Sequence, residues 1–347
     1  MVDIAPGRVV VTGAAGMLGS HLVTRLLADG HHVHGFDLRP VDGTHPRLHL
    51  TVGDVRDTSA LKDACVDASA LVHCASALPS YPTDMIRSVI VDGTRSALSA
   101  CEAAGVPRVV HISSTAVYGL PKVVPTPEAH PHAPVDPYSR AKAEAERIVD
   151  AFRDKGRPVC VLRPKTFLGP GRMGLFAMLF EWAEEGHNFP VLGRGDVRIQ
   201  MLSVEDLVTA VTVALDAPAE AANDTYNIAA AEFGTLRENF QAVLDAAGHG
   251  KRVVGVPAIP ALAVLSVLER LRLSPVYGRL RHKLMADSYV SIEKAVARLG
   301  FRPRLSNREA ILDTYRWWQG AGRAGGSGRT SRDAWSQGAL AAAKLFF

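Results

Sequence analysis

The sequence predicts an α/β fold: a doubly wound parallel sheet joined to a smaller lobe that is interrupted in sequence. Three observations predict it. Short β-rich runs alternate with helical patterns through the first half of the chain. The first run, RVVVT, is continuously apolar rather than alternating, as when helices cover both faces of a sheet. Beyond Pro164 the rhythm breaks, and Gly169, Pro170, Gly171, Gly186, Pro190, Gly193 and Gly195 punctuate the chain.

Each element follows from its residues. Arg8–Thr12 is the first strand. Leu18, Leu22 and Leu26 recur at spacings of four within 16–28 and form one helix face. His32–Asp37 reads as the second strand, Leu48–Val52 as the third and 70–74 as the fourth. A long helical pattern fills 85–104, a strand 108–113, a helix 137–155 and a strand 158–163. After the break, a helix is expected over 203–214 and a strand over Thr225–Ile228, followed by a helix-rich stretch from 236 to 319. No internal repeat is visible.

Composition narrows the function classes. Of 347 residues, 47% are hydrophobic and 21% charged, enough for a buried core. Lys plus Arg number 39 against 35 Asp plus Glu, a net charge of +4, which predicts no nucleic-acid partner. Cys65, Cys74, Cys101 and Cys160 are too few and scattered for a disulfide scaffold. The 13 histidines form no HExxH, so no metal site is expected. No apolar run is long enough for a signal peptide or membrane span, which points to a cytoplasmic protein without an integral membrane segment.

The first strand ends in a GxxGxxG loop that opens the first helix. Gly13 permits a tight turn, Gly16 lets a pyrophosphate approach the backbone, and Gly19 lets helix and strand pack closely. The N–H groups that follow, at Met17 and Leu18, suit the phosphates of a dinucleotide. Asp37 ends the second strand, 18 residues after the last glycine, where an acid binds the adenosine ribose hydroxyls. That carboxylate favours NAD over NADP, whereas Arg39 could pair with a 2′-phosphate. Gly53-Asp54-Val55-Arg56-Asp57 follows the third strand, where an adenine would lie, and Asp57 can cap the next helix.

The chemistry lies further on. Tyr138 and Lys142 form YxxxK, and their spacing puts both on one helix face. Ionising a free tyrosine at pH 7 costs about 4 kcal/mol, and a neighbouring ammonium reduces that cost. The pair is a general acid/base for an alcohol proton while a nicotinamide exchanges hydride. The fifth strand ends in Ser113-Ser114-Thr115-Ala116-Val117-Tyr118-Gly119, placing hydroxyls at the ligand crevice of such a sheet.

On these residues the chain resembles the extended short-chain dehydrogenase/reductase superfamily, in its NAD-dependent epimerase/dehydratase branch. The resemblance runs over roughly residues 7–319. It is carried by TGAAGMLG, Asp37, GDVRD, Val72-His73-Cys74-Ala75, Asp92-Gly93-Thr94, SSTAVYG, YSRAK, LRPKTFLGPG and Val204-Glu205-Asp206-Leu207. It implies that Tyr138 is the acid/base, that Lys142 binds the nicotinamide ribose and tunes Tyr138, and that Ser114 is the catalytic hydroxyl. It adds Asp54, Val55, Ala75 and Pro164 to the NAD contacts. It places Ser76, Thr115, Lys165, Thr166 and Gln200 at the substrate, with Lys165 a candidate anchor for a phosphate or carboxylate. It also implies a homodimer formed through 85–104 and 137–155.

Departures sort the branches. Thr-Asp-Glu, the dehydratase signature, is absent from Ser114-Thr115-Ala116, which argues against a 4,6-dehydratase. Thr166 stands where many nucleotide-sugar epimerases have Asn, Ile199 where they often have Arg, and Asp92 where the family usually has Asn. Leu162-Arg163-Pro164, the apolar segment 257–273, Ser291–Ala295 and Leu299–Pro303 look more like the hydroxysteroid and dihydroflavonol branches. The leading expectation is a nucleotide-sugar epimerase. The alternative is an NAD(P)-dependent dehydrogenase or ketoreductase on an apolar or natural-product substrate. A non-catalytic NAD-binding module fits poorly with an intact Ser114, Tyr138 and Lys142.

The expected organisation is a Rossmann-type NAD-binding domain over 1–164, to which 203–229 returns. The substrate-binding lobe takes 165–202 and 230–319, and 320–347 is a Gly-rich linker and tail. The tip GALAAAKLFF lies outside the resemblance. It is too short to span a bilayer and reads as a disordered or packing-dependent tail.

Overall fold

A computed structural model describes residues 7–40, 43–121, 123–171, 176–270, 285–320, 344 and 347. Seven strands form one parallel sheet in the order β10-β6-β5-β4-β1-β2-β3. They are β1 (Arg8–Thr12), β2 (His32–Asp37), β3 (Leu48–Val52), β4 (Ala70–His73), β5 (Val109–Ile112), β6 (Val159–Pro164) and β10 (Thr225–Ile228). The continuous apolar runs behave as expected. Val10 and Val11 of β1 have no exposed surface, and Leu71, Val110 and Val159 are equally buried. Burying each such side chain contributes about 1.5–3 kcal/mol.

Helices cover both faces. Helix α1 (Met17–Ala28) buries Leu18, Leu22 and Leu26 beside α7 (Val204–Asp216), in one apolar core with Val9 and Val11 of β1. On the other face lie α2 (Thr58–Ala64), α4 (Gly93–Ala104) and α5 (Pro137–Arg153). Asp57 caps α2, its side chain accepting from the Ala60 N–H at 3.0 Å. The helix expected over 85–104 starts earlier, as α3 (Thr83–Arg87), and widens into a π-helical turn over Ser88–Asp92 before α4. At that turn Thr94 Oγ1 donates to the Ile90 carbonyl at 2.6 Å, and Gly93 packs so closely on Val55 that a Cβ would come within 2.8 Å of Val55 Cγ1.

The second lobe has its own apolar core. It gathers α6 (Phe176–Glu184), β8 (Phe189–Leu192), α9 (Leu236–Ala247), β11 (Val253–Val256) and α11 (Asn307–Gly320) around Phe180, Trp182, Val243, Ile311 and Tyr315. Between α9 and α11 the chain also forms α10 (Ala258–Arg270). The stretch expected to be helical over 236–319 therefore contains a strand, β11, which pairs with β8 in parallel. Val253-Val254-Gly255-Val256 is too short and too flanked by loop to stand out as a strand in a helix-rich region. A second small pair joins β7 (Phe167–Leu168) to β9 (Leu202–Ser203). Inside the same stretch, Ala295, Leu299 and Phe301 join the core of the NAD-binding domain rather than that of the lobe. The linker expected from 320 onward lies mostly outside the described residues. Its far end is held: the Phe347 carbonyl accepts from the Asn188 N–H at 3.0 Å, and Lys344 Nζ pairs with Glu185 at 2.6 Å.

Candidate active site

The carboxyl ends of β1, β4, β5 and β6 enclose a cleft of about 320 Å³ where the strand order reverses between β1 and β4. Gly13, Gly16, Met17, Leu18 and Gly19 form one wall. Gly13 has φ +73°, and its N–H donates to the Phe36 carbonyl at 2.8 Å. A Cβ at Gly13 would meet the Ala75 nitrogen at 2.8 Å, and one at Gly19 would meet the Gly13 oxygen at 2.1 Å. The glycines are thus required by close backbone approach. No side chain caps α1 at Gly16, and its first turn carries no acid, so its N–H groups and positive end face the cleft uncompensated.

These residues fit a dinucleotide. Asp37 Oδ2 accepts from the Ala15 N–H at 3.0 Å, which fixes the carboxylate beside the glycine loop. Arg39 Nη2 donates to the Ala15 carbonyl at 3.3 Å, so its guanidinium is also tied to that loop. Ala75 abuts Gly13, and its N–H lies 3.4 Å from Thr12 Oγ1. Asp54 and Val55 are not part of the cleft wall. Asp54 is clamped by Arg56, whose Nε donates to it at 2.8 Å and whose hydrogen bonds hold the carboxyl below its usual range. Val55 is buried against α4.

Ser114, Tyr138 and Lys142 converge on the cleft as expected. Asp136 begins α5 with a capping box: its side chain accepts from the Ser139 N–H at 2.7 Å, while Ser139 Oγ accepts from the Asp136 N–H. This sets the first turn, and with it Tyr138. Lys142 is buried, and its ammonium donates to the Ile112 carbonyl at 2.8 Å. Burial pushes its pKa down to about 8, against the opposing pull of Cys74 and Glu146. Ser114 caps a short 3₁₀ turn over Thr115–Tyr118, its Oγ accepting from the Ala116 N–H at 3.2 Å.

The substrate candidates divide. Ser76, Thr115, Pro164, Lys165 and Thr166 line the cleft. Thr115 Oγ1 donates to the Pro164 carbonyl at 3.4 Å. Lys165 Nζ donates to Ser288 Oγ at 2.8 Å and to the Ser288 carbonyl at 2.9 Å, tying the 285–290 segment to the end of β6. Gln200 does not reach the cleft. Its amide is consumed by the backbone, donating to the Ala230 carbonyl at 2.7 Å and accepting from the Val290 N–H at 2.8 Å, and only 2% of its surface is exposed. In this fold Gln200 joins the 230 and 290 segments rather than lining the cleft to which the resemblance assigned it.

Sequence reasoning missed what lies beneath. Glu146, Arg163 and Ser113 form a buried cluster behind Ser114, Tyr138 and Lys142. The signal was present: Glu146 is four residues after Lys142 and eight after Tyr138, on the same helix face. Its burial, which makes it informative, was not visible without the fold.

Comparison with known proteins agrees with this geometry. Residues 9–229 match the NAD dependent epimerase/dehydratase family. An uncharacterized protein of Sinorhizobium fredii, y4nG, is 36% identical over 93% of this chain and 84% of its own length. A 3 beta-hydroxysteroid dehydrogenase/Delta 5-->4-isomerase of Mycobacterium tuberculosis is 31% identical over 88% of this chain and 89% of its own. An undecaprenol-linked N-acetylglucosaminyl 4-epimerase of Escherichia coli is also 31% identical, but over 58% of this chain and 60% of its own. Among solved structures, MoeE5 in complex with UDP-glucuronic acid and NAD superposes with a TM-score of 0.73 at 27% identity, covering 91% of this chain and all of that one. A glycine loop seated at the head of α1, a Tyr–Lys pair one helical turn apart and a family match that runs through both leave one conclusion: the chain is an enzyme of the NAD-dependent epimerase/dehydratase family, of the extended short-chain dehydrogenase/reductase type.

Proposed function

We propose that this enzyme is an NAD-dependent dehydrogenase acting on a secondary alcohol of an apolar substrate, of the kind a 3β-hydroxysteroid presents. One observation carries the reading. Among the described residues, the only cations lining the cleft are Lys142 and Lys165, and both ammonium groups are engaged within the protein, at Ile112 and Ser288. A nucleotide sugar brings a second diphosphate, away from the glycine loop, that cationic donors would hold. The wall beside Ser76 is instead apolar, formed by Ala77, Leu78 and Pro79, and Phe167 also lines the cleft. The reach of the relatives points the same way. The hydroxysteroid dehydrogenase aligns through the substrate lobe, whereas the Escherichia coli epimerase aligns over little more than half the chain.

In this reading the Gly13–Gly19 loop and the head of α1 hold the NAD diphosphate, and Asp37 holds the adenosine ribose. Bound NAD supplies the hydride acceptor. Ser114 orients the substrate hydroxyl by hydrogen bonding, and Tyr138 takes its proton as general base. The Lys142 ammonium stabilises the Tyr138 phenolate and holds the nicotinamide ribose. Likeness to the Escherichia coli 4-epimerase, and to MoeE5 with its bound UDP-glucuronic acid and NAD, favours a second reading, a nucleotide-sugar epimerase in which the same groups return the hydride to the opposite face. The reading includes a cytoplasmic homodimer formed through 85–104 and 137–155. Within one chain these helices pack through Ile86, Ile90, Ala141 and Ala145, while Met85 stays 44% exposed.

The test is direct. The purified protein is incubated with NAD and a 3β-hydroxysteroid, or with NAD and UDP-glucose or UDP-glucuronic acid, and NADH absorbance and sugar products are followed. Net NADH formation with the steroid is expected. Sugar interconversion without net NADH, and silence with the steroid, would overturn the dehydrogenase reading. Sedimentation of the same sample tests the dimer.

A further inference from the structure

Behind the cleft lies a buried ion pair that hydride transfer itself does not use. Glu146 is 3% exposed and Arg163, near the end of β6, 6%. Arg163 Nε lies 3.0 and 3.1 Å from the two carboxylate oxygens of Glu146, and its Nη2 lies 2.5 Å from Oε2. Ser113, the neighbour of Ser114, donates its hydroxyl to Glu146 Oε1. Arg163 Nη1 donates to the Tyr118 hydroxyl at 2.7 Å and to the Glu128 carbonyl at 3.0 Å. Tyr118 in turn donates to Asn227 Oδ1 at 2.8 Å. His132 Nε2 stands 3.3 Å from Glu146 Oε2 and 2.8 Å from Arg163 Nη2.

Such a pair is weak evidence for stability, because desolvation of both charges offsets much of their attraction. Its connections are more telling. It joins the end of β5 that carries Ser114, the helix that carries Tyr138 and Lys142, and the end of β6 that continues into Pro164 and Lys165. We propose that Glu146 is a positioning residue, fixing Ser114 through Ser113 and keeping the Lys142 ammonium, one helical turn away, charged and set at the cleft.

The surroundings of Lys142 make Glu146 its counter-charge. Facing it are His73 and Cys74 from β4 and its end, His111 from β5, and Tyr138 and Glu146 from its own helix. Burial pushes the Cys74 thiol up to about 12 and the His73 imidazole down to about 3, and holds His111 well below its ordinary value, so all three are neutral near pH 7. Burial raises the Glu146 carboxyl, but the hydrogen bonds from His132, Arg163 and Ser113 and the Arg163 charge bring it down to about 2. Glu146 is therefore ionised near pH 7.

The proposal rests on Lys142 serving the cofactor, and its test needs no substrate. NADH binding is followed by fluorescence across pH in the wild type, Glu146→Gln and Glu146→Asp, with thermal melting of each. Glu146→Gln should weaken NADH binding roughly tenfold near pH 8 and move the pH at which binding is lost down by about one unit. Glu146→Asp, which keeps the charge, should recover most of both. An unchanged pH midpoint in folded Glu146→Gln, or equal damage in Glu146→Asp, would overturn the proposal. Should Glu146→Gln fail to fold, Glu146→Gln/Arg163→Met removes both buried charges. A lowered midpoint there supports the assignment, and a wild-type midpoint overturns it.

Discussion

Replacing Gly19 with alanine tests where the cofactor sits. The new Cβ would lie 2.1 Å from the Gly13 oxygen and 2.8 Å from the Ala14 Cα, both main-chain atoms that cannot rotate aside. To accommodate it, the head of α1 must move away from β1 by about 1 Å, since Cβ atoms are essentially never found within 3.0 Å of such neighbours. Overpacking of this kind costs roughly 1–3 kcal/mol, and a clash with backbone belongs near the upper end. The same shift carries the Met17 and Leu18 N–H groups beyond good hydrogen-bond range of a phosphate. Losing one charge-assisted hydrogen bond, worth about 1.5–3 kcal/mol, lowers affinity at least tenfold. Urea unfolding measures the first effect and NADH fluorescence titration the second. Gly105→Ala is the control. That residue caps α4 at φ +68° with nothing within 4 Å, so it should cost about 1–2 kcal/mol of backbone strain and leave NADH affinity unchanged. A folded Gly19→Ala protein that binds NADH like the wild type would refute the diphosphate seat at α1.

Other outcomes follow from the same geometry. Tyr138→Phe should lower turnover by about a hundredfold or more while NADH affinity stays within about twofold, as steady-state kinetics and fluorescence would show. Lys142 has a folded value of about 8, below its ordinary 10.5, so burial penalises the folded state below pH 8. Stability of the NAD-free protein should therefore gain about 3 kcal/mol from this residue as pH rises from 8 to 10.5, whereas turnover falls as the ammonium is lost. Glu146 behaves oppositely. Its value of about 2 against 4.5 contributes about 3 kcal/mol that is fully present above pH 4.5 and lost as pH falls towards 2, which acid unfolding monitored by circular dichroism would register. Asn307→Ala should destabilise the lobe by about 2–4 kcal/mol in urea. Asn307 is fully buried, accepts from the Met201 N–H at 2.8 Å, and donates to the Ile199 and Phe233 carbonyls at 2.6 and 3.0 Å.

What could be read beforehand was local. The glycine loop, Asp37 and the Tyr138–Lys142 spacing depend on neighbours a few residues apart, and β1, β2, β3 and β10 end where their apolar runs end. Pairings across the chain were less legible. Arg163 was visible only as part of an Leu-Arg-Pro string, because its partner lies 17 residues earlier on a different element. The strand β11 was hidden because its pairing with β8 spans more than 60 residues and leaves no trace in either segment's period. Asp54 and Val55 read as cofactor contacts; the fold adds what their sequence does not show, that Arg56 pairs with the first and that the second packs against α4.

The substrate lobe shows the physical reason most clearly. Its segments come from separated stretches of chain and are held to one another and to the sheet domain by buried polar side chains that bind backbone. Lys165 holds Ser288, Gln200 holds Ala230 and Val290, and the two carboxylate oxygens of Asp206 accept from the Arg304 and Leu305 N–H groups at 2.9 and 3.1 Å. In sequence, a polar residue beside a catalytic motif reads equally well as a ligand contact or as a clamp. Only burial and partner identity separate the two: the Gln200 amide is 2% exposed, is held by two backbone groups and does not line the cleft. In the proposed reading the choice of substrate falls to the residues that line the cleft, Ser76, Thr115 and Thr166 and the apolar wall at Ala77–Pro79. Under that reading substitutions there should change which alcohol is oxidised, whereas substitutions in the clamps should change how firmly the lobe is held.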